Sequence, residues 1–142
     1  MIKRLAKRLV AGILFLVFTF QADAQRTDLT VTTAPGGFPT SGTLLTMSGA
    51  DTASLNSASL SGNGKEILVA HNTDGAVTYA VTITSIADPE TGRTGDINSE
   101  TLTFGQIKMY GPLTLRGWRQ TSGKLHFEAN NIAIQFGIIR LP

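Results

Sequence analysis

The chain has 142 residues, no cysteine, and 12 Lys and Arg against 10 Asp and Glu. The lack of any thiol excludes Cys-ligated metals, thiol nucleophiles, disulfide staples and a lipidated cysteine at a cleavage site. The apparent basic surplus belongs to the first 24 residues: Lys3, Arg4, Lys7, Arg8 and Asp23 all lie there, leaving 8 basic and 9 acidic groups in residues 25–142. A nucleic-acid partner, which needs clustered surplus cations, is therefore not expected.

The N-terminal segment joins those four cations to an apolar stretch from Leu9 to Phe20 and then to Ala22-Asp23-Ala24. A basic start, a short apolar middle and an A-x-A end are the three parts of a secretory signal peptide. The apolar stretch is too short to cross a bilayer, which takes about 20 residues. The expectation is cleavage between Ala24 and Gln25 and delivery to periplasm, cell surface or medium. Any membrane link would run only through an uncleaved leader. Residues 25–142 are expected to form one β-domain, less regular over 25–64 and with its best-defined strands over 65–142.

Thr is frequent after the leader and joins Val and Ile in short alternating runs, a pattern that fits a pleated, half-buried surface. Leu29-Thr30-Val31-Thr32 alternates, Pro35-Gly36-Gly37-Phe38-Pro39 breaks it, and Thr43 to Met47 is a second short run. The Ser-, Ala-, Asn- and Gly-rich stretch 50–64 reads as a surface loop or weak edge strand. Glu66 to His71 is a strand, followed by Asn72-Thr73-Asp74-Gly75 as a hairpin turn. Val77, Tyr79, Val81 and Ile83 then place four apolar side chains on one face.

Residues 88–96 (DPETGRTGD) form a turn-rich loop. Leu102 to Phe104 and Gln106 to Tyr110 are further strands, the second ended by Gly111-Pro112. Leu125, Phe127 and Ala129 alternate with polar residues, and Asn130-Asn131 is a two-residue turn. Ile132, Ile134, Phe136 and Ile138 line the final strand. Its other face, with Ala133, Gly137, Ile139 and Leu141, is also small or apolar, as in a strand covered on both sides. The fold class is all-β, a small antiparallel sandwich or jelly roll of about seven to nine strands after a helical leader. Runs of four to seven residues are short for an outer-membrane barrel, whose strands need about 9–11.

Candidate chemistry is sparse. His71 and His126 each sit on an alternating strand and read as solvent-facing residues. No nucleophile elbow, zincin motif or phosphate-cradling loop occurs. Asp88, Glu90, Asp96 and Asn98 bring oxygen ligands together in sequence and are the candidate Ca²⁺ site, although acids beside Pro and Gly are commonly turn formers. Paired carboxylates for glycoside hydrolysis are available from Asp88, Glu90, Asp96, Glu100 and Glu128, with nothing marking one pair. Trp118, between Arg116 and Arg119, offers a stacking surface for a sugar or a partner, with Tyr110 as a second ring; the plainer alternative is a Trp half-buried over one end of the fold.

Val81-Thr82-Ile83-Thr84, Gly92-Arg93-Thr94-Gly95-Asp96-Ile97, Gly111-Pro112, Gly117-Trp118 and Phe136-Gly137-Ile138-Ile139-Arg140-Leu141 occur in an order that resembles the small β-rich, head-decoration-like virion proteins of tailed bacteriophages, over residues 77–142. The resemblance implies a non-enzymatic module that associates with itself or with a capsid, with the 88–96 loop as a contact. The leader departs from that group, whose heads assemble in the cytoplasm.

Together these observations point to an exported, non-catalytic structural or adhesive β-domain that forms homo-oligomers, with a capsid-associated protein and a glycan-binding domain as alternatives. Thr27 to Thr33 is a candidate for a strand donated to a neighbour's sheet.

Overall fold

The computed structural model describes residues 25–37, 39–61 and 63–142. The expected leader, Met1–Ala24, lies outside the described residues. Ten strands and one helical turn are present among them: β1 (Thr27–Leu29), β2 (Val31–Thr33), β3 (Ser48–Gly49), β4 (Asn56–Ser59), β5 (Glu66–Asn72), β6 (Tyr79–Thr84), β7 (Ile97–Leu102), β8 (Ile107–Leu113), α1 (Leu115–Trp118), β9 (Lys124–Ala129) and β10 (Ile134–Arg140). They make two five-stranded mixed sheets. Sheet A has the order β1-β4-β9-β6-β7. Sheet B has the order β2-β10-β5-β8, with β3 also on β10.

The alternating runs of the C-terminal half bury as their period of two requires. Val81 and Ile83 of β6, Leu125 and Phe127 of β9, and Ile134, Phe136 and Ile138 of β10 are fully buried. One apolar cluster draws on both sheets. Phe127 of sheet A meets Phe136 of sheet B edge to face, with centroids 4.8 Å apart.

Connections between strands differ from the expected hairpins. β5 pairs with β8 and β10, whereas β6 pairs with β7 and β9, so Asn72–Gly75 carries the chain from one sheet to the other. Asn72 sets this crossing. Its buried carboxamide donates to the carbonyls of Val77 (2.8 Å) and Leu102 (2.9 Å), and its Oδ1 accepts the Asp74 N–H. Asn130-Asn131 is likewise a crossing, because β9 and β10 lie in different sheets. Val77 and Ile132, expected in the core, fall on these crossings and stand in water. Phe104 does the same in the turn after β7, which ends at Leu102.

The N-terminal half departs further from its pattern. Residues 43–47 are not a strand. They pass over the outer face of β10, where Met47 and Leu45 cover Gly137: a Cβ there would lie 2.5 Å from Met47 Sδ and 3.1 Å from Leu45 Cδ1. The expectation that β10 is covered on both sides is met by this irregular strap. Gly137→Ala is expected to cost about 1–3 kcal/mol through overpacking. Urea unfolding measures the loss, and Met47→Ala in the same chain should restore much of it.

Stretch 50–64 contains β4, an interior strand between β1 and β9. Its polar side chains are buried with partners on both faces: on the outer face the Ser57 hydroxyl donates to Asp28 at 2.6 Å, and on the inner face Asn56 Oδ1 accepts the Asp51 N–H at 3.0 Å, while the buried Asn56 Nδ2 finds no partner among the described residues. The run Leu29–Thr32 is broken at Thr30, so that β1 pairs with β4 and β2 with β10, both in parallel. The segment considered for donation is thus paired within its own chain. β8 runs on through Gly111-Pro112 to Leu113. Gly111 has φ +131°, and a side chain there would meet the Glu66 carbonyl at 2.8 Å, so only glycine fits.

Candidate functional site

A cleft of about 610 Å³ opens on the outer face of sheet A and is lined by residues of β1, β4 and β9 with their flanks. Strand register builds it. Asp28 stands opposite Ser57, and Ser57 opposite His126, so these three share one row across the sheet. Lys124, two residues before His126, turns to the same face and pairs with Asp28. At the head of β1, Arg26 donates to the Asn56 carbonyl at 3.2 Å.

Burial raises the pKa of the Asp28 carboxyl, but hydrogen bonds from Lys124 and Ser57 outweigh it, and the net shift is below the ordinary range. Asp28 is therefore an ionised anchor that holds Lys124 in place. Ser57 is buried and its hydroxyl donates a hydrogen bond to Asp28. The Ser122 hydroxyl lies 3.5 Å from His126 Nε2. Such a surface is equipped to hydrogen-bond a polar group lying across it. Of its members only His126 is singled out by sequence. Asp28, Ser57 and Lys124 carry no local signal, since their meeting depends on the parallel register of β1.

The four proposed Ca²⁺ ligands do not converge. Asp88 accepts the N–H groups of Glu90 and Thr91, both at 2.9 Å, closing its own turn. These bonds, with Arg116 beside them, lower its pKa. Arg116 Nε lies 2.9 Å from Asp88 and its Nη2 2.7 Å from Glu90, so a guanidinium fills the space between the two acids. Asp96 instead accepts the N–H and hydroxyl of Ser85 at 2.6 and 2.7 Å. Asn98 lies within β7. Among the described residues no three His, Asp or Glu side chains are grouped to hold a metal. The physical reason is that each acid answers a local backbone or cation demand.

The paired-ring surface also comes apart. Tyr110 is only 8% exposed and belongs to the core cluster, so it is not available for stacking. Burial, with Glu100 nearby, pushes its hydroxyl well above the ordinary pKa. Trp118 is half-buried against the same cluster, while Arg119 is exposed beside it. Of the remaining acids, Glu100 is bound by Lys108 at 2.6 Å.

No family model, curated protein or solved structure matches this chain.

Proposed function

We propose that this chain is an exported, non-catalytic β-sandwich that acts as a structural or adhesive module by associating with copies of itself. The observation that carries the reading is the edge of sheet B. Among the described residues β8 is the last strand of that sheet and has no neighbour beyond it. Ile107 and Met109, on its outer face, are 60% and 71% exposed, and Phe104 in the preceding turn is 57% exposed. An unpaired strand with apolar side chains is a template for another strand, and natural edges are commonly blunted by outward lysines or prolines. Here the strand's lysine, Lys108, is turned away to Glu100 and the Thr101 carbonyl. Pro112, without an N–H, guards only the far end. Residues 107–110 are left as an adhesive edge.

The leader-like N-terminus supports export, and the resemblance to capsid-associated proteins of phages leads to the same non-catalytic chemistry. Light scattering on residues 25–142 across a concentration series tests the reading. A dimer or larger species is expected, and Met109→Lys should weaken it at least tenfold while leaving the unfolding of the dilute, dissociated chain unchanged. A wild-type chain that stays monomeric at high concentration overturns the proposal.

A further inference from the structure

We infer that Gln25 is a modification site: as the first residue of the processed chain it closes on itself to form N-terminal pyroglutamate at the mouth of the sheet A cleft. The inference rests on the export reading, since Ala22-Asp23-Ala24 directly precedes Gln25. The structure supplies the rest. Immediately after Gln25 the chain is fastened to the sheet: Arg26 donates to the Asn56 carbonyl, Thr27 N–H to the Leu55 carbonyl at 2.9 Å, and the Thr27 hydroxyl to Asp51 at 2.6 Å. Gln25 itself lies outside any strand, is exposed, and lines the cleft, so a five-membered ring has room to form.

The reaction is an internal acyl transfer. The lone pair of the α-amine attacks Cδ of the Gln25 carboxamide, the bond from Cδ to the amide nitrogen breaks, and that nitrogen leaves as ammonia after taking up the proton released by the amine. Nothing is oxidised or reduced, and no co-reactant is required. Only the neutral amine is a nucleophile, and an α-amine has an ordinary pKa of about 7.7–8.0. The charged groups around the amine are matched: Arg26 and Lys124 line the cleft with His126 and Asp28, which Lys124 and Ser57 engage, and Asp51 accepts the hydroxyl of neighbouring Thr27. Closure removes the terminal charge and leaves an uncharged lactam beside the Asp28–Lys124 pair.

The full chain, expressed in a secreting bacterial host, provides the test. Its processed form is incubated at neutral pH and followed by intact mass and stepwise N-terminal sequencing. The expected product begins at Gln25, is lighter by one ammonia, resists sequencing, and is unblocked by pyroglutamyl aminopeptidase. Gln25→Ala should show neither the mass loss nor the block. A processed chain that keeps an intact Gln25 amide overturns the cyclisation while leaving export standing. An N-terminus at another residue, or retention of the whole leader, also overturns the cyclisation, and recovery of the chain only from the cytoplasm would sink the export reading as well.

Discussion

Phe127→Ala is expected to lower the unfolding free energy by about 3–5 kcal/mol, the usual cost of deleting a large buried ring. Phe127 is fully buried in sheet A, and its ring meets Phe136 of sheet B edge to face. The substitution removes the transfer free energy of the ring together with an aromatic contact worth about 0.5–1.5 kcal/mol. The cavity would lie within the apolar cluster between Phe136 and Ile83, the residue opposite Phe127 in β6, side chains already fixed by their own strands and unable to collapse far. Phe104→Ala is the control, because that ring is largely in water and its loss should fall within about 0.5 kcal/mol of wild type. Urea unfolding of the three proteins measures both. Similar small losses at the two positions would mean that the sheets are not held together through this ring pair.

Arg140→Met is expected to cost about 3 kcal/mol near neutral pH, because it strips the counter-ion from a buried carboxylate. Glu66 is fully buried at the start of β5, opposite Arg140 in β10. Its Oε1 accepts the Ser61 N–H and Arg140 Nε, both at 2.8 Å, whereas the buried Oε2 has no partner among the described residues. Burial pushes this carboxyl up, but the Ser61 and Arg140 bonds outweigh it, and the net shift is downward. A carboxyl held below its unfolded value of about 4.3 contributes stability that is complete above that pH and lost as pH falls through the folded value. In Arg140→Met the carboxyl loses its cation and its pKa rises, so protonation relieves the mutant while it weakens the wild type. The gap between the two proteins should therefore narrow below about pH 4. Glu66→Gln combined with Arg140→Met should recover part of the neutral-pH loss. A gap that is constant from pH 7 to pH 3, measured by thermal unfolding, would show that Arg140 acts only by packing.

These two sites mark where the sequence is legible. Phe127, Ile134, Phe136 and Ile138 announce themselves through alternation, because a strand with one covered face repeats every two residues. The class of the fold follows from such runs. Pairing does not: Asn72–Gly75 and Asn130-Asn131 look like hairpin turns, and a turn motif cannot show whether the next strand returns to the same sheet. The carboxamide of Asn72, bonded to Val77 and Leu102, decides that. β4 was hidden for a different reason. Ser57 is buried against Asp28, which reaches it from a distant position in the chain, and Asn56 is met by the Asp51 N–H five residues earlier, a contact that no apolar period announces. The cleft shares this cause, being a product of register between β1, β4 and β9. The acids of the 88–96 loop mislead in the opposite direction, since density in sequence became turn closure and pairing with Arg116.

The split run β1–β2 ties the beginning of the chain to its end. Val31 sits beside Ile138, and the strand that receives it is the inner member of its sheet, flanked on the other side by β5. Until β10 is made, β2 and β3 have nothing to join and β5 has only β8, so sheet B cannot close. Contacts of such long sequence separation make closure slow. A chain that stays open that long is also one that can still be threaded through a narrow pore.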